Sequence, residues 1–112
     1  MTILVAGATG LAGSAIVREL TRIGKPVVGI SSKDVDLLDR NATFNYFNKV
    51  KPNIVIDAAA KVGGIHHNSI KRAEFIYENL TIQNNIIHSS YKNNIKNLYL
   101  FTKVLISKLK AV

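Results

Sequence analysis

The stretch TILVAGATGLAG, residues 2–13, decides the fold of this chain. Its first part, Thr2 to Ala6, is short and apolar, which predicts a buried strand. Three glycines follow at a spacing of three residues: Gly7, Gly10 and Gly13. Apolar residues at helical spacing then predict a helix over Leu11–Ile23. Glycines between a strand and a helix allow a sharp turn and let a phosphate approach the helix N-terminus. The pattern predicts a dinucleotide-binding loop, with a tight turn that binds nothing as the alternative.

The rest of the chain continues this alternation of strand and helix. Apolar runs predict strands at Val27–Ile30 and Asn53–Asp57, and a fourth strand that begins near Asn97. Helical spacing predicts one helix after Asp39, which is a suitable N-cap, and a long helix over about 69–91. This order predicts an α/β fold, the N-terminal half of a Rossmann fold, with flanking helices and a parallel sheet of strand order 3-2-1-4.

Composition limits the classes of function. A chain of 112 residues with 47% hydrophobic residues is long and apolar enough to bury a core. It has no cysteine, which excludes disulfides and thiolate sites, and its three histidines do not form a metal-site pattern. No apolar run approaches the ~20 residues of a membrane span, so we expect a cytoplasmic protein without a membrane partner. The net charge is +8, but the lysines are scattered, so we expect no nucleic-acid partner.

The end of the second strand indicates which dinucleotide is bound. Enzymes that bind NAD usually have an acid here that binds the ribose 2′-hydroxyl. Ser31, Ser32 and Lys33 stand there instead. Hydroxyls beside a cation suit a 2′-phosphate, so NADP is favoured over NAD. An exposed polar turn is the alternative, and the neighbouring Asp34 keeps NAD open.

The segment AAAKVGGI, residues 58–65, follows the third strand. Small side chains at the carboxyl end of a parallel strand let a flat ligand lie against the backbone. We therefore expect Ala58, Ala59 and Ala60 beside the ribose and pyrophosphate of the dinucleotide. Lys61 has two open roles, since its side chain can reach a phosphate or only solvent.

Several of these segments together resemble one family. The glycine loop, the turn at Asp36–Asp39, AAAKVGGI, FIYEN at 75–79 and NIIH at 85–88 are similar to GDP-L-fucose synthases, which are extended short-chain dehydrogenases/reductases. The resemblance covers roughly residues 3–98. It implies an NADPH cofactor. In the full-length family it implies a nucleotide-sugar substrate, GDP-4-keto-6-deoxy-mannose, which is epimerised and then reduced.

The resemblance also implies roles for particular residues. Thr9 stands where the family often has an arginine, and its hydroxyl can still donate to a phosphate. Asp39 is expected to reach the adenine, with helix capping as an equal alternative. In related proteins the equivalent of the helix at about 69–91 packs against a second subunit, so a homodimer is expected. The predicted cofactor-binding residues are Gly7, Thr9, Gly10, Leu11, Gly13, Ser31, Ser32, Lys33, Asp39, Ala58, Ala59, Ala60 and Lys61.

The end of the chain departs from the family pattern. The family has a Ser-Ser-x-Ile segment just after the fourth strand and a Tyr-x-x-x-Lys pair far downstream, whereas this chain reads TKVLIS at 102–107. A shifted reading frame through these codons can encode Ser-Ser-Tyr-Ile. We therefore expect a partial NAD(P)-binding domain at 1–102 and an out-of-frame tail at 103–112. The chain is expected to lack the catalytic serine and the Tyr-x-x-x-Lys pair, and to be inactive alone. A non-catalytic NADP(H)-binding module is the alternative.

Overall fold

The fold is known from a computed structural model that describes residues 1–59 and 69–100. Strands and helices alternate in this part of the chain: β1 (Ile3–Ala6), α1 (Leu11–Arg22), β2 (Val27–Ile30), α2 (Arg40–Val50), β3 (Ile54–Asp57), α3 (Ser69–Lys92) and β4 (Asn97–Leu100). These bounds lie within one or two residues of the sequence-based ones. Ala60, Lys61 and the expected tail at 103–112 lie outside the described residues.

The four strands form one parallel sheet, which confirms the α/β half-Rossmann fold. The expected strand order 3-2-1-4 is wrong, because the observed order is β2-β1-β3-β4. Leu4 in the middle of β1 stands opposite Val28 of β2 on one side and Val55 of β3 on the other. The chain therefore moves outward from β1 to β2, then returns past β1 to β3 and continues to β4.

Burial and helix packing explain this order. All four residues of β1 are buried, as a central strand requires, whereas β2 contains the exposed Gly29. Helix α1 packs on β1 and β2, while α2 and α3 pack against each other and α3 also packs on β3. Right-handed connections that run in opposite directions place α1 on one face of the sheet and the α2–α3 pair on the other. The order of the strands along the chain does not show on which side of β1 the third strand pairs.

The core lies between the sheet and the α2–α3 pair. Phe47 of α2 is its largest fully buried side chain and lies in one cluster with Leu4, Ile30 and Val55. The buried face of α3 is not the face on which its apolar residues repeat at helical spacing. The buried residues of α3 combine apolar and small polar side chains: Ile82, Asn85, Ile86, Ser89 and Ser90. Ile76, Leu80 and Ile87, which have helical spacing, are exposed instead. Serines on the buried face allow close approach of the helix to its neighbours.

Candidate functional site

A cleft of about 300 Å³ opens at the carboxyl ends of the central strands. The described residues that line it are Gly7, Thr9, Gly10, Ser32, Val35, Asp36, Leu37, Leu38, Ala58, Ala59 and Ile82. The chain leaves β1 toward β2 and leaves β3 toward β4, so the two connections diverge. Ligands of open α/β sheets bind where the strand order reverses in this way, because the divergence leaves a crevice.

Gly7 begins the turn from β1 to α1 and packs against the end of β3. Its φ of 79° lies in the left-handed region, and a Cβ there would stand 2.6 Å from the carbonyl oxygen of Ala58. The N–H groups of Gly7 and Ala8 both donate to the carbonyl oxygen of Ile30 at 3.0 Å, so the loop is tied to the end of β2. A side chain at Gly7 would therefore separate the ends of β1 and β3.

The other two glycines of the loop have different surroundings. A Cβ at Gly13 would overlap the carbonyl oxygen of Gly7, so Gly13 is needed for packing of α1 against the loop. A Cβ at Gly10 would meet nothing closer than the carbonyl oxygen of Gly7, at 3.4 Å. Gly10 lines the cleft, and the space beside it is open. The first and third glycines are thus required by the fold, whereas the second leaves room for a ligand.

The N-terminus of α1 has the features of an anion-binding site. Its N-cap is Gly10, which makes no side-chain capping bond, and the first turn contains no acidic residue. The first N–H groups of a helix have no partner within it and carry partial positive charge, which favours a phosphate. Thr9 lines the cleft beside this terminus. Leu11 begins α1 with 77% of its surface exposed and does not line the cleft.

Residues 31–39, here called the rim loop, form one wall of the cleft. Ser32 lines the cleft, whereas Ser31 and Lys33 do not. The N–H and Oγ of Ser31 contact Oδ2 of Asp34 at 2.8 and 3.4 Å, and the N–H of Lys33 donates to Oγ of Ser31 at 3.3 Å. The Asp34 carboxylate therefore stabilises this turn.

The two carboxylates of the Asp-Leu-Leu-Asp turn have separate positions. Asp39 does not line the cleft, and its Oδ1 accepts from the N–H of Ala42 at 3.0 Å, so it caps α2. Asp36 lines the cleft, and its Oδ1 accepts from the N–H of Leu38 at 3.0 Å. Asp39 was the predicted site residue of this turn, but Asp36, which was not predicted, is the one that lines the cleft. Three further residues of the rim loop that line the cleft were not predicted, and neither was Ile82 of α3: Val35, Leu37 and Leu38.

Asp57 is a buried carboxyl group behind the cleft, and it was not predicted. It ends β3 with 5% of its surface exposed, and its Oδ1 accepts from the N–H of Ala59 at 3.0 Å. Burial raises the pKa of Asp57 to about 6, against the opposing effect of the Ala59 hydrogen bond. Ala58 and Ala59, which directly follow Asp57, line the cleft. The carboxyl group of Asp57 therefore gains or loses its proton close to the space where a ligand would lie.

Comparison with known proteins identifies the family of the chain. The sequence profile of the NAD dependent epimerase/dehydratase family matches residues 3–105. The chain belongs to this family. GDP-L-fucose synthase 1 of Arabidopsis thaliana is 47% identical over 97 residues, which are 86% of this chain and 30% of that protein. GDP-L-fucose synthase of Escherichia coli K12 is 38% identical over 109 residues, 96% of this chain and 34% of that protein.

Solved structures support the same relationship. The GDP-mannoheptose C4 reductase of Campylobacter jejuni with NADP bound superposes with a TM-score of 0.81 at 40% identity, over 89% of this chain and 32% of that one. A GDP-L-fucose synthetase from Naegleria fowleri bound to NADP gives a TM-score of 0.72 at 32% identity, over 88% and 29%. The resemblance to GDP-L-fucose synthases is confirmed. This epimerase/dehydratase-family chain spans about 30% of the length of these curated relatives.

One sequence-based expectation about catalysis needs correction. A Tyr-x-x-x-Lys spacing does occur in this family member, from Tyr99 to Lys103, so the letters are not absent from the chain. Tyr99 belongs to β4, where it stands opposite Ile56, and Lys103 lies outside the described residues. The resemblance implies a pair far downstream of this strand. The match at Tyr99 therefore does not occupy the position of the family's pair.

Within residues 1–59 and 69–100, no group of three or more His, Cys, Asp or Glu side chains could hold a metal ion. In the same part of this family member, no helix combines the length and the apolar character that a membrane crossing needs. The candidate site of the described residues is the cleft at the carboxyl ends of β1 and β3.

Proposed function

We propose that this chain is the N-terminal, NADP-binding part of an enzyme of the GDP-L-fucose synthase type. The observation that carries the proposal is the cleft at the reversal of strand order, where Gly10 leaves open space at a helix N-terminus without a side-chain cap. Identity of 47% to a GDP-L-fucose synthase over 97 residues supports the same assignment. NADPH supplies a hydride for reduction of a ketone, and the described residues bind and orient this cofactor.

The pyrophosphate is proposed to lie at the N-terminus of α1. The first N–H groups of α1 have no side-chain cap and are available to an anion, Gly10 allows close approach, and the hydroxyl of Thr9 can donate a further hydrogen bond. Ala58 and Ala59 have side chains small enough for the ribose and pyrophosphate to lie against them. Ala60 and Lys61, which follow directly, stay predicted contacts.

The adenosine half is proposed to lie along the rim loop. Ser32 lines the cleft at the position that reads the ribose, and Lys33 follows it, so a hydroxyl and a cation are available for a 2′-phosphate. Asp34, which would favour NAD, already accepts from the N–H of Ser31 at 2.8 Å. Asp36 is proposed to replace Asp39 as the carboxylate nearest the adenine.

The activity of the whole enzyme is proposed to be epimerisation and NADPH-dependent reduction of a GDP-4-keto sugar. This chain alone is proposed to bind NADPH without turnover, because the family's acid, a tyrosine, belongs to the downstream pair. General acid–base catalysis contributes about 10²–10⁴-fold to such rates. The test is incubation of the 112-residue chain with NADPH and GDP-4-keto-6-deoxy-mannose. Formation of GDP-fucose above background would contradict the proposal, and absence of product with bound NADPH also fits a non-catalytic binding module.

A homodimer through α3 is proposed from its exposed apolar face. Tyr77, Leu80 and Tyr91 repeat at helical spacing and are 71%, 53% and 75% exposed. An apolar stripe of this kind on a long helix is typical of a helix–helix interface. Sedimentation of the chain and of a Leu80→Glu variant tests the proposal, since the variant should be monomeric at concentrations at which the wild type dimerises. The cytoplasmic location stays a prediction.

Titration with NADPH and NADH tests the cofactor assignment. We expect the 112-residue chain to bind NADPH more tightly, and Lys33→Glu to reduce that preference by repelling the 2′-phosphate. Lys25→Glu is the matched control, because Lys25 precedes β2 at the amino end of the sheet, whereas Lys33 follows β2 at the carboxyl end, where the cleft opens. A preference of the wild type for NADH would contradict the NADP assignment.

A further inference from the structure

One peptide group of the rim loop is held at both ends. The carbonyl oxygen of Leu37 accepts from Nδ2 of Asn85 at 2.8 Å, and the N–H of the next residue, Leu38, donates to Oδ1 of Asp36 at 3.0 Å. The side chain of Asn85 is buried, with 7% of its surface exposed. The plane of the peptide between Leu37 and Leu38 is therefore fixed, and the position of the Asp36 carboxylate is coupled to it.

The bond from Asn85 differs in range from the other bonds of the rim loop. The N–H of Asp34 donates to the carbonyl oxygen of Ser31, and that of Asp39 to the carbonyl oxygen of Asp36, each at 3.0 Å. These bonds shape turns between near neighbours. Asn85 instead joins the loop to a helix residue 48 positions away. Local bonds define the shape of the loop, whereas Asn85 defines where the loop stands relative to the cleft.

Helix α3 also supplies a wall of the same cleft. Ile82 lines it, and Ile82 lies one helical turn before Asn85, so both side chains are on one face of the helix. The same face buries Ile86 in the core. A shift of α3 would therefore move the cleft wall and the anchor of the rim loop together.

We propose that Asn85 is a positioning residue for the adenosine half of the dinucleotide, an inference that rests on the proposed function. The loop after β2 reads the adenosine ribose in folds of this type, and Asp36 of this loop lines the cleft. Without the Asn85 donor, the buried carbonyl group of Leu37 loses its partner, which disfavours the observed peptide orientation. Asp36 then loses the partner that holds its carboxylate at the cleft.

Two variants of Asn85 and two of a matched asparagine test the role. Asn85→Asp keeps the shape but replaces the donor by an oxygen, and Asn85→Leu removes all polar atoms. Asn93 is the control, because its Nδ2 donates to the carbonyl oxygen of Ser89 at the same 2.8 Å, just after α3, and it does not line the cleft. The probes are NADPH and 2′,5′-ADP, which has the adenosine half but no nicotinamide.

We expect both Asn85 variants to bind both probes about tenfold more weakly than the wild type. Asn93→Asp and Asn93→Leu are expected to lower the melting temperature without changing either affinity. Wild-type affinity in a folded Asn85 variant would overturn the inference, and so would an equal loss in the Asn93 variants. A wild-type chain that binds neither probe would instead overturn the proposed function.

Amide hydrogen exchange on the wild type tests the role without any substitution. Bound 2′,5′-ADP is expected to slow exchange at Leu38, because the ligand stabilises the peptide group that Asn85 and Asp36 hold. Exchange at Asn93, outside the cleft, is expected to stay the same. Binding of 2′,5′-ADP without any change at Leu38 would overturn the inference, even if the Asn85 variants failed to fold.

Discussion

Helices α1 and α2 begin at the same edge of the sheet but in opposite ways. The N-cap of α2 is Asp39, whose carboxylate accepts from the N–H of Ala42. The N-cap of α1 is Gly10, which makes no side-chain bond and faces the cleft. A capped helix start satisfies its own N–H groups, whereas the start without a cap leaves them for an anion. The start of α2 is therefore stabilised by its own side chain, whereas the start of α1 leaves its N–H groups open to the cleft, where the pyrophosphate is proposed to lie.

Gly13→Ala should have the largest effect, because it breaks the start of α1 itself. The new Cβ would overlap the carbonyl oxygen of Gly7, so loop and helix would have to separate. We expect a loss of about 3 kcal/mol in the free energy of unfolding, measured by urea denaturation. Ala12→Ser is the control at the preceding position of the same turn. Unchanged stability of Gly13→Ala would mean that the tight contact with Gly7 does not exist.

Asp57→Asn should change the pH dependence of stability by a similar amount. Like Asp39, Asp57 accepts a backbone N–H at 3.0 Å, but it is buried. Its pKa is raised from 3.8 to about 6 in the folded state, so the folded state holds the proton more tightly. The tighter proton binding of Asp57 in the folded state adds about 3 kcal/mol to the free energy of unfolding. This contribution is fully present below the unfolded pKa, near pH 4, and is lost as the pH rises through 6.

The asparagine variant should therefore equal the wild type near pH 4 and be more stable at pH 7.5. Chemical denaturation at both pH values measures the difference, and Asp34→Asn at the exposed turn is the control. A wild type that gains stability from pH 4 to 6 relative to Asp57→Asn would contradict the raised pKa.

Gly10→Asp gives α1 the kind of cap that α2 has. The carboxylate would bond the first N–H groups of α1 and would repel the pyrophosphate. We expect NADPH affinity to fall by about 100-fold, or about 2.7 kcal/mol, while stability stays equal or rises by a few tenths of a kcal/mol. Isothermal titration measures the affinity. Gly24→Ala should lower stability and leave NADPH affinity unchanged, because Gly24 has a φ of 80° after α1, away from the cleft.

Asp39→Ala should have the smallest effect. It removes the cap of α2 and should lower the free energy of unfolding by about 1 kcal/mol, with NADPH affinity unchanged. Asp39→Asn, which can still cap, should restore most of the stability. Thermal denaturation and NADPH titration on the same samples separate the two outcomes. A large loss of affinity in Asp39→Ala would return Asp39 to the adenine contact that the family resemblance implies.

Local features of this chain were predictable and distant pairings were not. The helix and strand bounds follow from periodicity, glycine and proline, and the close contacts of Gly7 and Gly13 follow from their position at the junction of β1 and α1. The strand order depends on which way the connection after β2 turns, which no short segment encodes. Asp36 and Asp39 are three residues apart with the same side chain. Asp36 lines the cleft and Asp39 caps α2, and this difference depends on where α2 begins relative to the sheet.

The anchor of the rim loop was unpredictable for the same reason. Asn85 lies within the NIIH segment of the family resemblance, but its partner is a backbone carbonyl oxygen 48 residues earlier. A polar residue inside a helix usually indicates a solvent-facing position. Here it is buried because the Leu37 carbonyl group needs a donor. The feature of the sequence that indicates this buried face is the amide of Asn85 beside Ile82 and Ile86, not the apolar residues that repeat at helical spacing.

The central place of β1 affects the order in which the molecule assembles during synthesis. Its partner on one side, β2, ends at Ile30, but its partner on the other side ends at Asp57. The hydrogen bond from the N–H of Thr2 to Oδ1 of Asn53 spans 51 residues of sequence. Ribosomes add about 5–20 residues per second, so one edge of β1 stays unpaired for a few seconds between the synthesis of β2 and that of β3. The nascent chain is exposed to wrong strand pairing during that interval, and the cleft cannot exist before it ends.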